Sequence, residues 1–276
     1  MSYKPAPLEG ADFQEYVRRE FVKIAAEFLA LQPPQPNPDV LWRWDATSLA
    51  PFGIQAKDSS RVTFVNAGGR PAVRLLTMPG DFGIAGSGTS ERCDISLSQA
   101  DTDGYEGKEA WWAHSILFPD DYVDPPESNT ANGWQFGVVF DFHNTSSGSG
   151  QANYQVMAMP KTATSPDRPR GINTQIAFGD QSNPTTIPFP ASGTAGVPVL
   201  RNVWYDFVYH VRWTQAATGY FFAWLNGKPI MEYGGPTLYA GQGVYLKLAN
   251  YHTAFGKPSA VLHGRVVRAR TREALV

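Results

Sequence analysis

The chain has a single cysteine in 276 residues. That excludes an internal disulfide and any cysteine-rich zinc site. It also lacks an excess of either charge. Its 23 basic and 25 acidic side chains leave a net charge of −2, whereas a general nucleic-acid binder carries a basic surplus. Charged residues are scarce altogether, at 17% against a typical ~25%. No run approaches the ~20 apolar residues that a membrane-spanning helix needs. Neither nucleic acid nor membrane is therefore an expected partner. The five histidines are scattered, and none falls in a metal-ligand spacing such as H-x-x-x-H. No metal or cofactor is expected from the residues.

What is plentiful is turn and strand material. There are 26 glycines and 22 prolines, 13% of the residues are aromatic and 42% are hydrophobic. The hydrophobic fraction rules out a disordered chain. Helix bundles use charged helix formers and few glycines or prolines, so this balance indicates an all-β fold with many turns.

The first 32 residues read differently. Residues 11–32 (ADFQEYVRREFVKIAAEFLALQ) carry charges throughout and lack the continuous apolar stretch of a signal peptide. They read as a short amphipathic helix. Asp12 suits its N-cap and Glu15 completes a capping-box spacing. Val17, Phe21, Ile24, Phe28 and Leu31 form a seam of under three heptads, which either packs on its own domain or pairs with another helix. Residues 33–38 (PPQPNP) are a stiff linker, and residues 39–276 form the β domain. Within it, Asn226-Gly227 between two strand-like runs is the clearest hairpin signal. Residues 160–170 and 181–198, rich in Pro, Ser, Thr and Gly, read as surface loops.

Alternation is the most informative pattern. In residues 134–143 (WQFGVVFDFH) the even positions, Trp134, Phe136, Val138, Phe140 and Phe142, are large and apolar. The odd positions include Gln135, Asp141 and His143. Side chains alternate across a strand, so one face is core and the other carries chemistry. In residues 244–252 (VYLKLANYH), Val244, Leu246 and Leu248 oppose Tyr245, Lys247 and Tyr251. In residues 92–98 (RCDISLS), Cys93, Ile95 and Leu97 oppose Arg92 and Asp94. Two further segments set apolar residues against Asn153 and Gln155, and against Asn173 and Gln175. One-sided strands imply antiparallel sheets with one wet face. Carboxamides and aromatic hydroxyls on that face suit the hydroxyls of a sugar chain; the alternative is an ordinary solvated face. Of the remaining groups, His114, His210 and His252 read as structural or strand-surface residues and His263 is unassigned. Cys93 reads as an inert buried thiol, and Arg168 and Arg170 as solvated loop residues.

At these residues the sequence resembles the polysaccharide lyases built on a concanavalin A-like β-jelly-roll sandwich. The heparin lyase I and glucuronan lyase group is the nearest, with alginate lyases next. The motifs that carry the resemblance are Arg92-Cys93-Asp94, Asp141-Phe142-His143 and Lys247-Leu248-Ala249-Asn250-Tyr251, supported by flanking residues 111–122, 202–214 and 235–239. It covers about residues 45–270. The sequence departs from the family in two motifs, with Asp141 where an amide precedes the histidine and Asp94 where a glutamate follows the arginine. Residues 262–264 (LHG) also stand where the family often has an Asp-containing strand.

The resemblance implies β-elimination on a uronate-containing, acidic polysaccharide. The base and acid are drawn from His143 and Tyr251, and Arg92 and Lys247 supply positive charge. Asp141 either is protonated beside the substrate carboxylate or orients His143; Gln135 or Arg92 neutralises the carboxylate in the second case. A tyrosine, with an ordinary pKa of about 10, needs nearby positive charge to act as a base near neutrality. The implied substrate-binding set is Asp94, Gln135, Asn153, Gln155, Asn173, Gln175 and Tyr245. A structural calcium ion is known in some relatives, and no catalytic cofactor is implied. A glycoside hydrolase on the same fold and a non-catalytic glycan-binding module are the competing functions. The helix and linker resemble attachment segments of bacteriophage tail proteins, which implies homo-oligomerisation or virion docking. Without a signal peptide, such a protein would stay cytoplasmic until release or be virion-associated. In the orienting role, Asp141→Asn is expected to lower turnover by orders of magnitude while thermal melting shows an intact fold; unchanged turnover would remove Asp141 from the mechanism.

Overall fold

A computed structural model of the chain describes residues 37–82, 89–127, 135–146, 151–160, 171–190 and 196–276. The segment expected as an N-terminal helix, most of the expected linker, Trp134 and residues 161–170 lie outside the described residues. The β domain, Asp39–Val276, forms one compact unit.

Its strands make two antiparallel sheets. The seven-stranded sheet runs in the order β10 (Asn183–Phe189), β9 (Gly171–Asp180), β8 (Tyr154–Met159), β7 (Gly137–Asn144), β14 (Val244–Thr253), β5 (Ser90–Ser96) and β2 (Gly53–Ala56). The eight-stranded sheet runs β13 (Lys228–Gly234), β12 (Tyr220–Leu225), β11 (Trp204–Arg212), β6 (Glu109–Leu117), β15 (Ser259–Ala269), β4 (Arg70–Thr77) and β3 (Val62–Ala67). Its eighth strand, β1 (Val40–Trp44), pairs with the C-terminal half of β15 while β4 takes the N-terminal half. Among the described residues, helix is limited to single turns at Gln99–Thr102, Ser59–Arg61 and Glu273–Leu275.

The turns follow their residues. Asn226 and Gly227 both take positive φ, +48° and +77°, the primed turn whose twist matches its flanking strands. Gly68 and Gly69, at +60° and +82°, do the same between β3 and β4. The expected loop at residues 181–198 is corrected: Asn183–Phe189 is an edge strand paired in register with β9. Pro184 and Pro188 hid it. Neither can donate to a ladder, and both are tolerated because an edge strand has one side that needs no donor.

The two sheets pack face to face. Phe140, Phe142 and Tyr154 from one meet Trp112, Tyr209 and Phe221 from the other in a single buried cluster. Tyr154 stacks on Phe221 at 4.0 Å and Trp112 meets Phe142 edge-on at 5.4 Å. Burying each side chain of this size contributes roughly 1.5–3 kcal/mol. His114 sits among these rings, 4.0 Å from Phe140 and 5.0 Å from Phe207. Neither of its nitrogens has a hydrogen-bond partner among the described residues. A second, polar seam joins the sheets nearby. His252 Nε2 lies 2.7 Å from Thr77 Oγ1, Asn250 Nδ2 donates to the carbonyls of Leu75 and Ser259, and His263 Nε2 lies 3.1 Å from the Ala249 carbonyl.

These histidines make the fold acid-sensitive. Burial holds His114 well below its ordinary pKa and brings His252 and His263 down to about 4. The unfolded chain therefore takes up protons as pH falls through 6.5 that the folded chain refuses until about 4. Stability is lost across that window at up to ~1.4 kcal/mol per pH unit per histidine. Glu91 and Asp141, raised by burial, act in the opposite sense. Denaturant unfolding at pH 7, 6 and 5 is expected to show a shallower acid slope for His114→Phe than for the parent, by about one proton's worth.

Candidate active site

β14 carries the site because its alternation is clean. Val244, Leu246 and Leu248 enter the core, so Tyr245, Lys247, Ala249 and Tyr251 project from the opposite, outer face of the seven-stranded sheet. Its neighbours fill the same face rung by rung. Tyr251 lies opposite Arg92, Ala249 opposite Asp94, Lys247 opposite Asp141 and Tyr245 opposite His143. Gln155 continues the Asp141 rung and Gln175 follows it.

The lower layer of this face is a buried charge network. Asp94 is fully buried, and Lys247 and Asp141 are nearly so. One oxygen, Asp94 Oδ2, takes both Lys247 Nζ at 2.9 Å and Arg92 Nε at 3.2 Å. Burial alone would lower the pKa values of Lys247 and Arg92. The charge of Asp94, with Asp141 adding to it, reverses that and holds both above their ordinary ranges. Asp141 is raised, because burial outweighs the pull of Lys247 and His143, and its Oδ1 has no hydrogen-bond partner among the described residues.

Above this floor stands a more accessible layer with two ends. At one end the Arg92 guanidinium lies over the Tyr251 ring, 4.0 Å from its centroid. The Ser90 hydroxyl reaches the Tyr251 hydroxyl at 3.4 Å, and Phe136 meets the ring edge-on at 5.0 Å. At the other end His143 and Tyr245 lie 5.3 Å apart. His143 Nδ1 is 3.0 Å from the Asn144 carbonyl. A carbonyl only accepts, so Nδ1 donates in this contact and Nε2 is the ring nitrogen directed away from it. Burial raises the Tyr245 pKa against the influence of Lys247.

The structure does not bring His143 and Tyr251 together. They occupy rungs six residues apart on β14, roughly 20 Å at ~3.3 Å per residue. Most of the carboxamides are likewise buried and engaged. Asn153 donates to the carbonyls of Ala177 and Thr237, Asn173 to that of Gly171, and Gln175 to Gln155 Oε1 at 2.5 Å. Gln155 alone among them is partly exposed.

The alternation expected across residues 134–143 needs one correction. Between Val138 and Phe140 the register slips against both neighbours. Val139 joins the main core, while Val138 packs with Met157, Ala249, Phe136 and Tyr251 on the outer face. This bulge turns Phe136 toward Tyr251 and sets Gln135 out of phase with Asp141. The run of three apolar residues, Val138-Val139-Phe140, was the signal for it. Ser90 and Phe136 are the site residues that the sequence pattern missed. Ser90 lay just before the motif strand, and Phe136 looked like core. No group of three or more His, Cys, Asp or Glu side chains converges as a metal-binding set among the described residues.

A family model described as polysaccharide lyase matches residues 41–266. No curated protein matches the sequence. Among solved structures the chain is similar to an endo-β-1,4-glucuronan lyase from the fungus Trichoderma reesei, with TM-score 0.59 and 16% identity over 84% of this chain and 96% of that one. It is also similar to the alginate lyase vAL-1 from Chlorella virus, with TM-score 0.49 and 11% identity over 84% and 100%.

Removing one partner of a buried ion pair leaves the other charge uncompensated, at about 3–5 kcal/mol. Asp94→Asn is therefore expected to lower the unfolding free energy from denaturant titration by an amount in that range. The double variant Asp94→Asn/Lys247→Met, which removes both charges, is expected to recover part of the loss.

Proposed function

The chain belongs to the polysaccharide lyase family, and from that premise we propose that it cleaves a uronate-containing polysaccharide by β-elimination on a jelly-roll scaffold, at the Arg92–Tyr251 end of the site. The observation that carries this reading is the guanidinium fixed between Asp94 and the Tyr251 ring. With Nε on Asp94, the two terminal nitrogens of Arg92 are left to form a planar fork that matches a carboxylate. Neutralising the substrate carboxylate acidifies the neighbouring C-5 proton. Tyr251, beside that same positive charge, takes this proton, and the C-4–O-4 bond breaks as the C-4=C-5 double bond forms. The proton then passes to the departing O-4 oxygen. Among the described residues Arg92 and Val138 are Tyr251's neighbours on its rung, and in this reading one phenol serves both transfers, each typically contributing ~10²–10⁴-fold.

The remaining groups divide by depth. Lys247, Asp94 and Asp141 are floor, fixing Arg92 and balancing charge beneath the substrate. His143, Tyr245 and Gln155, farther along the sheet, hold neighbouring sugar units through hydrogen bonds. The hydrolase alternative needs two accessible carboxyls flanking the bond, and on this face Asp94 and Asp141 are both buried. The similarity to a β-1,4-glucuronan lyase in fold makes β-1,4-linked glucuronate the first polymer to try. In the same reading the N-terminal helix oligomerises or attaches the enzyme to a phage particle.

Incubation with β-1,4-glucuronan and alginate is expected to release unsaturated uronates, seen as ultraviolet absorbance. Tyr251→Phe should reduce kcat by ~10²–10⁴-fold, and His143→Ala should act mainly on KM. Loss of kcat in His143→Ala with Tyr251→Phe still active would reverse the assignment. New reducing ends without absorbance would mean hydrolysis, and retention without product would mean a binding module.

A further inference from the structure

A cavity of about 860 Å³ opens on the outer face of the eight-stranded sheet, on the side of the sandwich away from the Arg92–Tyr251 site. Its volume is within the range of ligand sites. Ser115 of β6, Asp206 of β11 and Gly264 of β15 line it. A Cβ at Gly264 would lie 3.2 Å from the Trp204 ring and 3.3 Å from Ser115, so glycine keeps this depression open.

Four arginines surround it: Arg43 on β1, Arg70 at the β3–β4 turn, Arg265 on β15 and Arg272 before the last helical turn. They face the side-chain carboxylates of Asp45, Asp206 and Glu273, with the C-terminal residue Val276 also in the lining, so the cavity gathers guanidinium donors and carboxylate acceptors together. The guanidiniums are pre-positioned. Arg70 pairs through Nη1 with Asp206 at 2.7 Å and lies 5.4 Å from the Trp204 ring centroid. Ser115 steadies the same Asp206 oxygen at 2.6 Å. Arg43 pairs through Nε with Asp45 at 2.7 Å, and Arg272 lies 4.9 Å from the Trp224 ring centroid. The Arg43 and Arg70 pairs are about half exposed, and such pairs add little to stability. Each guanidinium has five donors, and these contacts occupy only a few of them.

We infer that this cavity is a second, non-catalytic binding site for a stretch of acidic polysaccharide. Guanidinium forks would take its carboxylates, and Asp45, Asp206 and Glu273 would accept from its hydroxyls. The choice of ligand rests on the proposed function; the cavity itself does not. A polymer held on this face stays near the enzyme between cuts, so the effect should grow with chain length.

The test uses the full chain and β-1,4-glucuronan oligosaccharides. In Tyr251→Phe, titration should shift the Trp204 and Trp224 indole N–H resonances saturably. The further substitutions Arg43→Ala and Arg272→Ala should abolish those shifts and lower the calorimetric stoichiometry from two to one. With Tyr251 intact, the Arg43→Ala/Arg272→Ala enzyme should show KM raised about fivefold on long polymer and an unchanged kcat/KM on a tetrasaccharide. Arg43→Lys/Arg272→Lys, which keeps charge but not the fork, should fall between and controls for folding. Unchanged titration in the alanine variant would overturn the second site even if the enzyme cuts glucuronan. Arginine-dependent shifts in a chain that cuts neither glucuronan nor alginate would keep the site and sink the proposed function. Absence of binding by either face would sink both.

Discussion

The site depends on one carboxylate oxygen. Asp94 Oδ2 takes Lys247 Nζ and Arg92 Nε together, beneath the surface of the seven-stranded sheet. A buried lysine without a counter-charge is strongly disfavoured, so Asp94 allows Lys247 to stay charged at the centre of the face. The same oxygen fixes the Nε edge of Arg92 and thereby sets which edge is left for a ligand. The short side chain of Asp94 reaches both cations because Asp94 lies on the strand beside Lys247, opposite Ala249. The small alanine leaves space for the two cations to converge.

This two-layer arrangement changes the meaning of several residues. A charge pattern on one face of a strand looks like a set of ligand-binding groups, but depth decides which of them a ligand can touch. Lys247 and Asp141 are as buried as core residues and act on the layer above through electrostatics. Arg92, Tyr251, Tyr245, His143 and Gln155 remain partly accessible. Asn153, Asn173 and Gln175 face inward hydrogen-bond obligations, since a buried amide must find partners, and they brace the sheet.

The bulge at Val139 is the second decisive feature. Without it, Phe136 and Val138 would lie under the sheet with Phe140 and Phe142. With it, they form an apolar wall against Tyr251, together with Met157 and Met159. The catalytic candidate is thus held between a guanidinium on one side and hydrocarbon on the other. Bulges recur beside functional sites because they re-aim side chains at little cost to the rest of the ladder.

Much of the fold was legible in the residues. Period-two alternation identified β14 and β5 with their correct faces, Asn226-Gly227 marked its hairpin, and the order of the Arg92, His143 and Lys247–Tyr251 motifs pointed to the polysaccharide lyase family. These features are local, and a strand's two-residue period follows from covalent geometry alone. Three things were decided only by tertiary structure. Register between strands set His143 and Tyr251 on distant rungs, the Val139 bulge reversed the facing of Phe136, and an edge position allowed a proline-bearing segment to become β10. Each depends on which strand lies alongside, and neighbours distant in sequence supply the hydrogen bonds and packing that settle it.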